Sequence, residues 1–237
     1  MDVYKIEKIN DILKNNSYAG RGIVLGKSAN GKFGVAAYFI MGRSNNSRNR
    51  IFKREGNGVV IYPFDASKVE DPSLIVYSPV RVYKNNLIVT NGDQTDTVYD
   101  FLAKGGCFFK ALKTRTFEPD SPNFTPRISG VMDTQSGDYK LCILKSADKE
   151  GGACNRFLFD YAATAGVGHF LHTYVCDGNP LPTFVGEPER VSIPDDIDEF
   201  TDGIWSNLDA DNKISLYVRY VRFSDGAYED RLLNKNK

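Results

Sequence analysis

Histidine is almost missing from this chain: His169 and His172 are the only two in 237 residues. Acid–base work, where any is done, falls to carboxylates, tyrosine, lysine or bound water. Three positions apart on an expected strand, the two imidazoles point to opposite faces and do not converge on a metal. Cysteine is also scarce. Cys107, Cys142, Cys154 and Cys176 form no Cys-x-x-Cys pair, which argues against a zinc site and a disulfide framework. Each is expected to be a small buried hydrophobe in a reducing compartment. An excess of either charge is absent as well, since 30 basic residues offset 30 acidic ones. Neither a nucleic acid nor a membrane surface is therefore an expected partner. No apolar run has the length of a membrane span. Met1-Asp2-Val3-Tyr4-Lys5 lacks the basic-then-apolar pattern of a signal peptide, so a cytoplasmic protein is expected. Walker loops, Rossmann glycine fingerprints, Gly-x-Ser-x-Gly elbows and His-Glu-x-x-His are all missing.

What remains is an ordinary globular composition, 41% hydrophobic and 25% charged, with no internal repeat and no break that marks a domain boundary. A single domain over residues 1–237 is expected, with residues 1–17 as an N-terminal helical extension and 228–237 as a polar, frayed tail. Val3, Ile6, Ile9 and Leu13 share one face of a short helix. Ile23–Leu25 and Phe33–Met41 read as strands joined around Asn30-Gly31. Further strands are expected at 59–62, 74–77, 80–83, 87–90, 128–132, 141–144, 157–159, 170–175 and 214–223. Asp96–Lys113 reads as helix, split or kinked at Gly105-Gly106, and Ile197–Leu208 as another. Short hairpin-linked strands with few helices make an α+β domain. Two sheets stacked face to face with helices outside would bury the nearly all-apolar strands. Those strands leave room for a homo-oligomer without requiring one.

Three polar stretches stand out. Arg43, Arg48, Arg50, Lys53 and Arg54 fall within twelve residues, interleaved with Ser and Asn and with no acid among them. Such a stretch suits a solvated edge, or a phosphate-binding loop in which guanidinium forks meet phosphate oxygens. Asn91-Gly92-Asp93-Gln94-Thr95-Asp96 lies between a strand and a helix, where backbone N–H groups converge, with Asp93 or Asp96 as the expected cap. Its surplus of amides and carboxylates also suits one wall of a site for a small polar molecule. The third stretch, Phe117 to Arg127, carries Pro119, Pro122 and Pro126, which preclude helix and central strand and leave a stiff loop. Together the three suit a small, phosphorylated, polar ligand.

The motifs in these stretches have a familiar order. Tyr18-Ala-Gly-Arg21 leads into Val24-Leu25-Gly26-Lys27, then Ala37-Tyr38, then Gly42-Arg43-Ser44 and Arg48. Ile75-Val76-Tyr77, Asn91-Gly92-x-Gln94-Thr95-Asp96-Thr97 and Asn123-x-Thr125-Pro126-Arg127-Ile128 follow, with Thr173-Tyr174 a looser fit. In that register the chain resembles the archaeal-type IMP cyclohydrolase family. The resemblance implies a four-layer α-β-β-α fold similar to the N-terminal-nucleophile hydrolases, without that group's nucleophile, as position 1 is Met. It also implies dehydrative closure of 5-formamidoimidazole-4-carboxamide ribonucleotide to IMP, the last step of purine synthesis, by a hydrolase acting on a cyclic amidine. No cofactor or metal is implied. The catalytic residues it suggests are Arg48, Tyr77 as proton donor or relay, and Glu118 to orient the carboxamide or take its proton. Arg21, Arg43, Asn91, Asp96, Asn123, Thr125 and Arg127 would bind the purine nucleotide. Asp93 departs from the family pattern, where a small neutral residue is expected, and its charge would be repulsive near a phosphate. The fuller C-terminal half keeps two alternatives open: a related amide or cyclic-amidine hydrolase, or a purine-nucleotide-binding protein without catalysis.

Overall fold

The apolar alternation of this chain closes into two antiparallel sheets. The computed structural model describes residues 2, 4–68 and 76–236. A short helix α1 (Ile9–Lys14) precedes β1 (Arg21–Lys27) and β2 (Phe33–Met41), which turn on Gly31 at φ 71. A single helical turn α2 (Asn45–Arg48) leads into β3 (Arg50–Glu55), β4 (Gly58–Pro63), β5 (Val80–Tyr83) and β6 (Asn86–Thr90). Helices α3 (Gln94–Ala103) and α4 (Phe108–Lys113) follow, separated at Gly105-Gly106 as the sequence suggests. Then come β7 (Arg127–Asp133), β8 (Tyr139–Ser146), β9 (Cys154–Tyr161), β10 (Val167–His172), β11 (Glu189–Ser192), helix α5 (Ile197–Asn207), β12 (Lys213–Arg222) and β13 (Tyr228–Asn234).

One sheet has the order β11-β10-β1-β2-β12-β13 and the other β3-β4-β5-β6-β7-β8-β9. Side chains alternate across each strand, so every strand feeds two layers. Ile23, Leu25, Tyr38, Ile40, Phe52, Leu87, Val89, Ile128, Leu141 and Tyr217 meet between the sheets. On the outer face of the first sheet Val24, Phe39, Phe170 and Val218 pack with Leu13, Phe200 and Ile204 of α1 and α5. On the outer face of the second, Ile88, Val131 and Leu144 pack with Val98, Phe108 and Leu112 of α3 and α4. Asp196 caps α5, accepting from the backbone N–H groups of Asp198 at 2.7 Å and Glu199 at 2.9 Å. Truncating an inter-sheet residue such as Leu141 to Ala would cost about 2–5 kcal/mol. Among the described residues no helix is long and apolar enough to cross a membrane.

Several expectations need correction. Residues 228–234 are not a frayed tail but the edge strand β13, paired with β12 from Val221↔Tyr228 to Ser215↔Asn234. Its polar composition fits an edge, where one side of the ladder meets water. Only Cys142 of the four free cysteines is buried; Cys107 and Cys176 are exposed. The N-terminal helix is confined to Ile9–Lys14, and Ile6, expected on its buried face, is exposed. Val3 and residues 74–75 of the expected strand 74–77 lie outside the described residues, and Val76-Tyr77 is not in a strand.

Candidate active site

Two arginines are carried into the inter-sheet space by strand parity. Arg21 opens β1 two residues before Ile23, and Arg50 opens β3 two residues before Phe52. Ile23 and Phe52 both belong to the inter-sheet core, so the arginines at the strand starts face the same way. Gly20 lets Arg21 take up this place. It sits at φ +77 with Thr173 packed so close that a Cβ would lie 2.2 Å from Oγ1. A cavity of about 350 Å³ opens there, lined by Arg21, Arg50, Tyr77, Asn91, Gly92, Asp93, Glu118, Pro119 and Arg127.

Its electrostatics are unusual for a protein interior. The Nε atoms of Arg21 and Arg50 are out of contact with solvent and have no hydrogen-bond partner among the described residues. Burial opposes the charge of Arg21, but the Glu118 carboxylate, with Tyr18, Tyr174 and Tyr77, more than offsets this and raises its pKa. Arg50 is lowered by burial and by the charge of Arg21. Both remain cations at neutral pH, as guanidinium does in proteins. The Tyr77 hydroxyl lies 3.1 Å from that of Tyr38. Burial raises its pKa, while Arg21, Arg50 and the Tyr38 hydroxyl act in the opposite direction.

The wall from 91 to 96 is a hydrogen-bonded knot. Asn91 donates to the Pro126 carbonyl at 2.8 Å, and its Oδ1 accepts from Ile128 N and Gln94 Nε2, both at 2.9 Å. These bonds join the end of β6 to the start of β7. Thr90 and Thr95 hydroxyls meet at 2.6 Å beneath the Gly92 carbonyl. Asp93 occupies the cap position of α3 but makes no capping bond. Its carboxylate pairs with Arg115 and, at 2.6 Å, with Arg127. Partial burial works against that charge, and the two arginines outweigh it, leaving the Asp93 pKa lowered. Arg127 also donates to Gln94 Oε1 at 2.6 Å. A Cβ on Gly92 would lie 2.5 Å from the Arg127 guanidinium, so the glycine leaves room for it.

The stiff loop is closed on itself. Glu118 N donates to the Thr125 carbonyl at 2.9 Å, and Asp120 accepts from the backbone N–H of Thr125 at 2.6 Å. The Thr125 hydroxyl bonds to Asp120 and, at 2.6 Å, to Tyr174, while Asn123 Oδ1 accepts from Leu181 N at 3.1 Å. This anchoring presents Glu118 and Pro119 to the cavity.

Of the residues singled out from the sequence, the structure brings Arg21, Tyr77, Asn91, Glu118 and Arg127 to one cavity. It does not bring the others. Arg48 turns away, donating from Nε to Gly42 O at 3.0 Å and from a terminal nitrogen to Asn212 at 3.0 Å. Arg43 pairs with Asp177 at 2.5 Å and lies over the Tyr18 ring. Asp96 pairs with Arg81 at 2.6 Å and does not line this cavity. Asn123 and Thr125 hold the loop rather than line the cavity. Of the five clustered cations only Arg50 reaches it, and its two-residue spacing from Phe52 was the available signal. Asp93, expected to be repulsive, is the partner of a cavity arginine. His169 and His172 do diverge: His169 bonds Tyr139 at 2.7 Å, and His172 bonds Glu189 at 3.0 Å. Burial and the charge of Arg190 depress His169 to about 4.

Comparison with known proteins places this geometry in context. A family model described as "IMP cyclohydrolase-like protein" matches residues 18–226. The chain is 37% identical over 123 residues to the IMP cyclohydrolase of Methanopyrus kandleri, covering 50% of this chain and 60% of that protein. It is 32% identical over 118 residues to the IMP cyclohydrolase of Methanocaldococcus jannaschii, covering 49% and 57%. For the IMP cyclohydrolase of Methanococcus maripaludis strain C7 the values are 34% over 124 residues, 50% and 60%. The matched stretch thus covers at most 60% of the length of each of these relatives.

Proposed function

The chain belongs to the IMP cyclohydrolase-like protein family, and on that premise we propose that its cavity closes 5-formamidoimidazole-4-carboxamide ribonucleotide to IMP. The observation that carries this reading is the pair of arginines, Arg21 and Arg50, which line the cavity and whose buried Nε atoms have no partner among the described residues. With Arg127 the cavity has three guanidiniums against the carboxylates of Glu118 and Asp93. That balance suits an anionic, oxygen-rich ligand such as a nucleotide. The two alternatives from the sequence, another amide hydrolase or a binder without catalysis, lack a feature of their own in this cavity.

Ring closure asks little covalent chemistry of the protein. The carboxamide nitrogen attacks the formyl carbon of the same molecule and gives up one proton. The formyl oxygen gains two protons, the second from the formamido N–H, and leaves as water while the C=N bond forms. Because nucleophile and electrophile are tethered, holding a near-attack conformer supplies much of the rate. Glu118 takes the carboxamide proton, and Tyr77 donates to the formyl oxygen. Arg21 and Arg50 offset the negative charge that develops there. Arg127, at the mouth, meets the ribose-phosphate. The packing of helices outside two stacked sheets supports the four-layer arrangement of the N-terminal-nucleophile hydrolases, with Arg21 at the start of the first strand. The cytoplasm is the compartment we assign.

Purified protein given the formamido ribonucleotide is expected to form IMP well above the spontaneous rate. Tyr77→Phe should lower kcat at least about tenfold, or ~1.4 kcal/mol of barrier, with the circular dichroism spectrum unchanged. IMP binding without ring closure would leave only a nucleotide-binding role. No binding and no product would remove the reading altogether.

A further inference from the structure

The mechanism above uses Tyr77 but leaves unexplained a second buried phenol beside it. Tyr38 comes from the inter-sheet face of β2 and is 0% exposed. Its ring stacks on Phe52, with centroids 5.6 Å apart and planes 13° from parallel. Phe52 lies on the same strand face as Arg50, so this stack continues the wall that carries the cavity arginine. The Tyr38 hydroxyl has Tyr77 as its one hydrogen-bond partner among the described residues, at 3.1 Å. A phenol buried among apolar rings normally finds a partner for its O–H. Here that partner is a group facing the cavity.

We propose that Tyr38 is a positioning residue, donating its hydroxyl proton to Tyr77 so that the Tyr77 proton is directed at the substrate oxygen. This rests on the ring-closure reading. Each hydroxyl has a single proton, so a pair of phenols can be ordered in two ways. If Tyr77 donates to Tyr38, its proton points into the core and only lone pairs face the cavity, toward Arg21 and Arg50. If Tyr38 donates, Tyr77 keeps a proton for the cavity and, on giving it up, remains solvated by one O–H and two nearby guanidiniums. Their surroundings separate the two. Tyr38 lies deeper, and burial together with Tyr77 raises its pKa well above the ordinary value. Burial raises Tyr77 as well; Arg21 and Arg50 act to lower both phenols, and the Tyr38 hydroxyl lowers Tyr77 further. The more readily ionised phenol is the acceptor of the pair and the proton donor to substrate. Tyr38 itself touches no reacting atom.

The test is steady-state ring closure by the full chain in a double-mutant cycle. Tyr38→Phe keeps the stacked ring and removes only the hydroxyl. It is expected to lower kcat about fivefold to tenfold while KM stays within roughly twofold. Added to Tyr77→Phe, where no cavity hydroxyl remains to be held, the same change should alter kcat by less than about twofold. Equal losses in both backgrounds, or a wild-type kcat in Tyr38→Phe, would overturn the proposal. Should Tyr38→Phe fail to fold, 3-fluorotyrosine placed at position 38 keeps the ring and the hydroxyl. Its fluorine resonance should move on Tyr77→Phe, and an unmoved resonance overturns the pairing. Wild-type protein without ring closure refutes the functional reading and this role with it. Active wild type with additive mutants refutes this role alone.

Discussion

Arg21 and Arg219 both face the inter-sheet space from the same sheet, yet they are treated in opposite ways. Arg219, on β12, is 2% exposed. It donates to Tyr217 and to the Asn57 carbonyl, each at 2.7 Å, lies 4.0 Å from Asp230, and is covered by the Tyr228 ring. Arg21, on β1, has a buried Nε without a partner among the described residues and an open cavity in front of it. A charge drawn out of water costs several kcal/mol unless it is paired and bonded. The protein compensates that cost at Arg219 with its own groups. At Arg21 the nearby Glu118 carboxylate offsets the burial, and the guanidinium still borders the cavity. One arginine is thus part of what holds the sheets together, and the other, on the proposed reading, would meet an anion.

Mutations should separate the two roles cleanly. The largest effect expected is on stability: Arg219→Met should reduce the unfolding free energy by about 3 kcal/mol, read by urea denaturation. Turnover per folded molecule should change little. Arg21→Met should do the reverse, cutting ring closure about 10²-fold, ~2.7 kcal/mol of barrier, without loss of stability. A destabilised Arg21→Met with normal turnover would erase the contrast. IMP at about ten times its Kd should stabilise the wild type by ~1.4 kcal/mol in a thermal unfolding assay, and Arg21→Met should lose that gain. Asp93→Asn releases one hold on Arg127 and should raise KM about fivefold, ~1 kcal/mol, with kcat largely kept. Smallest of all, Arg48→Ala should leave kcat/KM within roughly twofold, because its bonds run to Gly42 and Asn212 outside the cavity.

The same contrast explains what could be read in advance. The β1–β2 hairpin was legible because Asn30-Gly31 sits between two apolar runs, and the break between α3 and α4 because Gly105-Gly106 interrupts the helix. Tyr77, Glu118 and Arg21 were legible through their motifs. β13 was not, since Glu229, Asp230 and Arg231 belong to an edge strand whose polarity imitates a tail. β11 was not, being only four residues long and held by pairing with distant β10. Arg48 and Arg50 look alike in a run of cations. Which one enters the site depends on α2 being a helical turn capped at Ser44, after which β3 starts at Arg50. The pairing of Asp93 was not legible because its partners lie 22 and 34 residues downstream. Its meaning comes from tertiary contacts that no local window contains.

Gly92 carries a consequence for engineering the mouth of the site. Its backbone is not in the left-handed region, so alanine is conformationally allowed there. The added methyl meets the Arg127 head at 2.5 Å and the Gln94 side-chain oxygen at 2.6 Å, both at the ends of side chains. The Arg127 end can give way, whereas the Gln94 amide is buried and bonded into the knot of Asn91, Thr90 and Thr95 beneath. A single carbon at position 92 would therefore act as a spacer, displacing the Arg127 head while sparing the turn below it. The missing side chain works as a gauge of reach: it leaves the Arg127 head its place beside the turn, and filling it would shift the spacing of the guanidiniums proposed to hold the ligand.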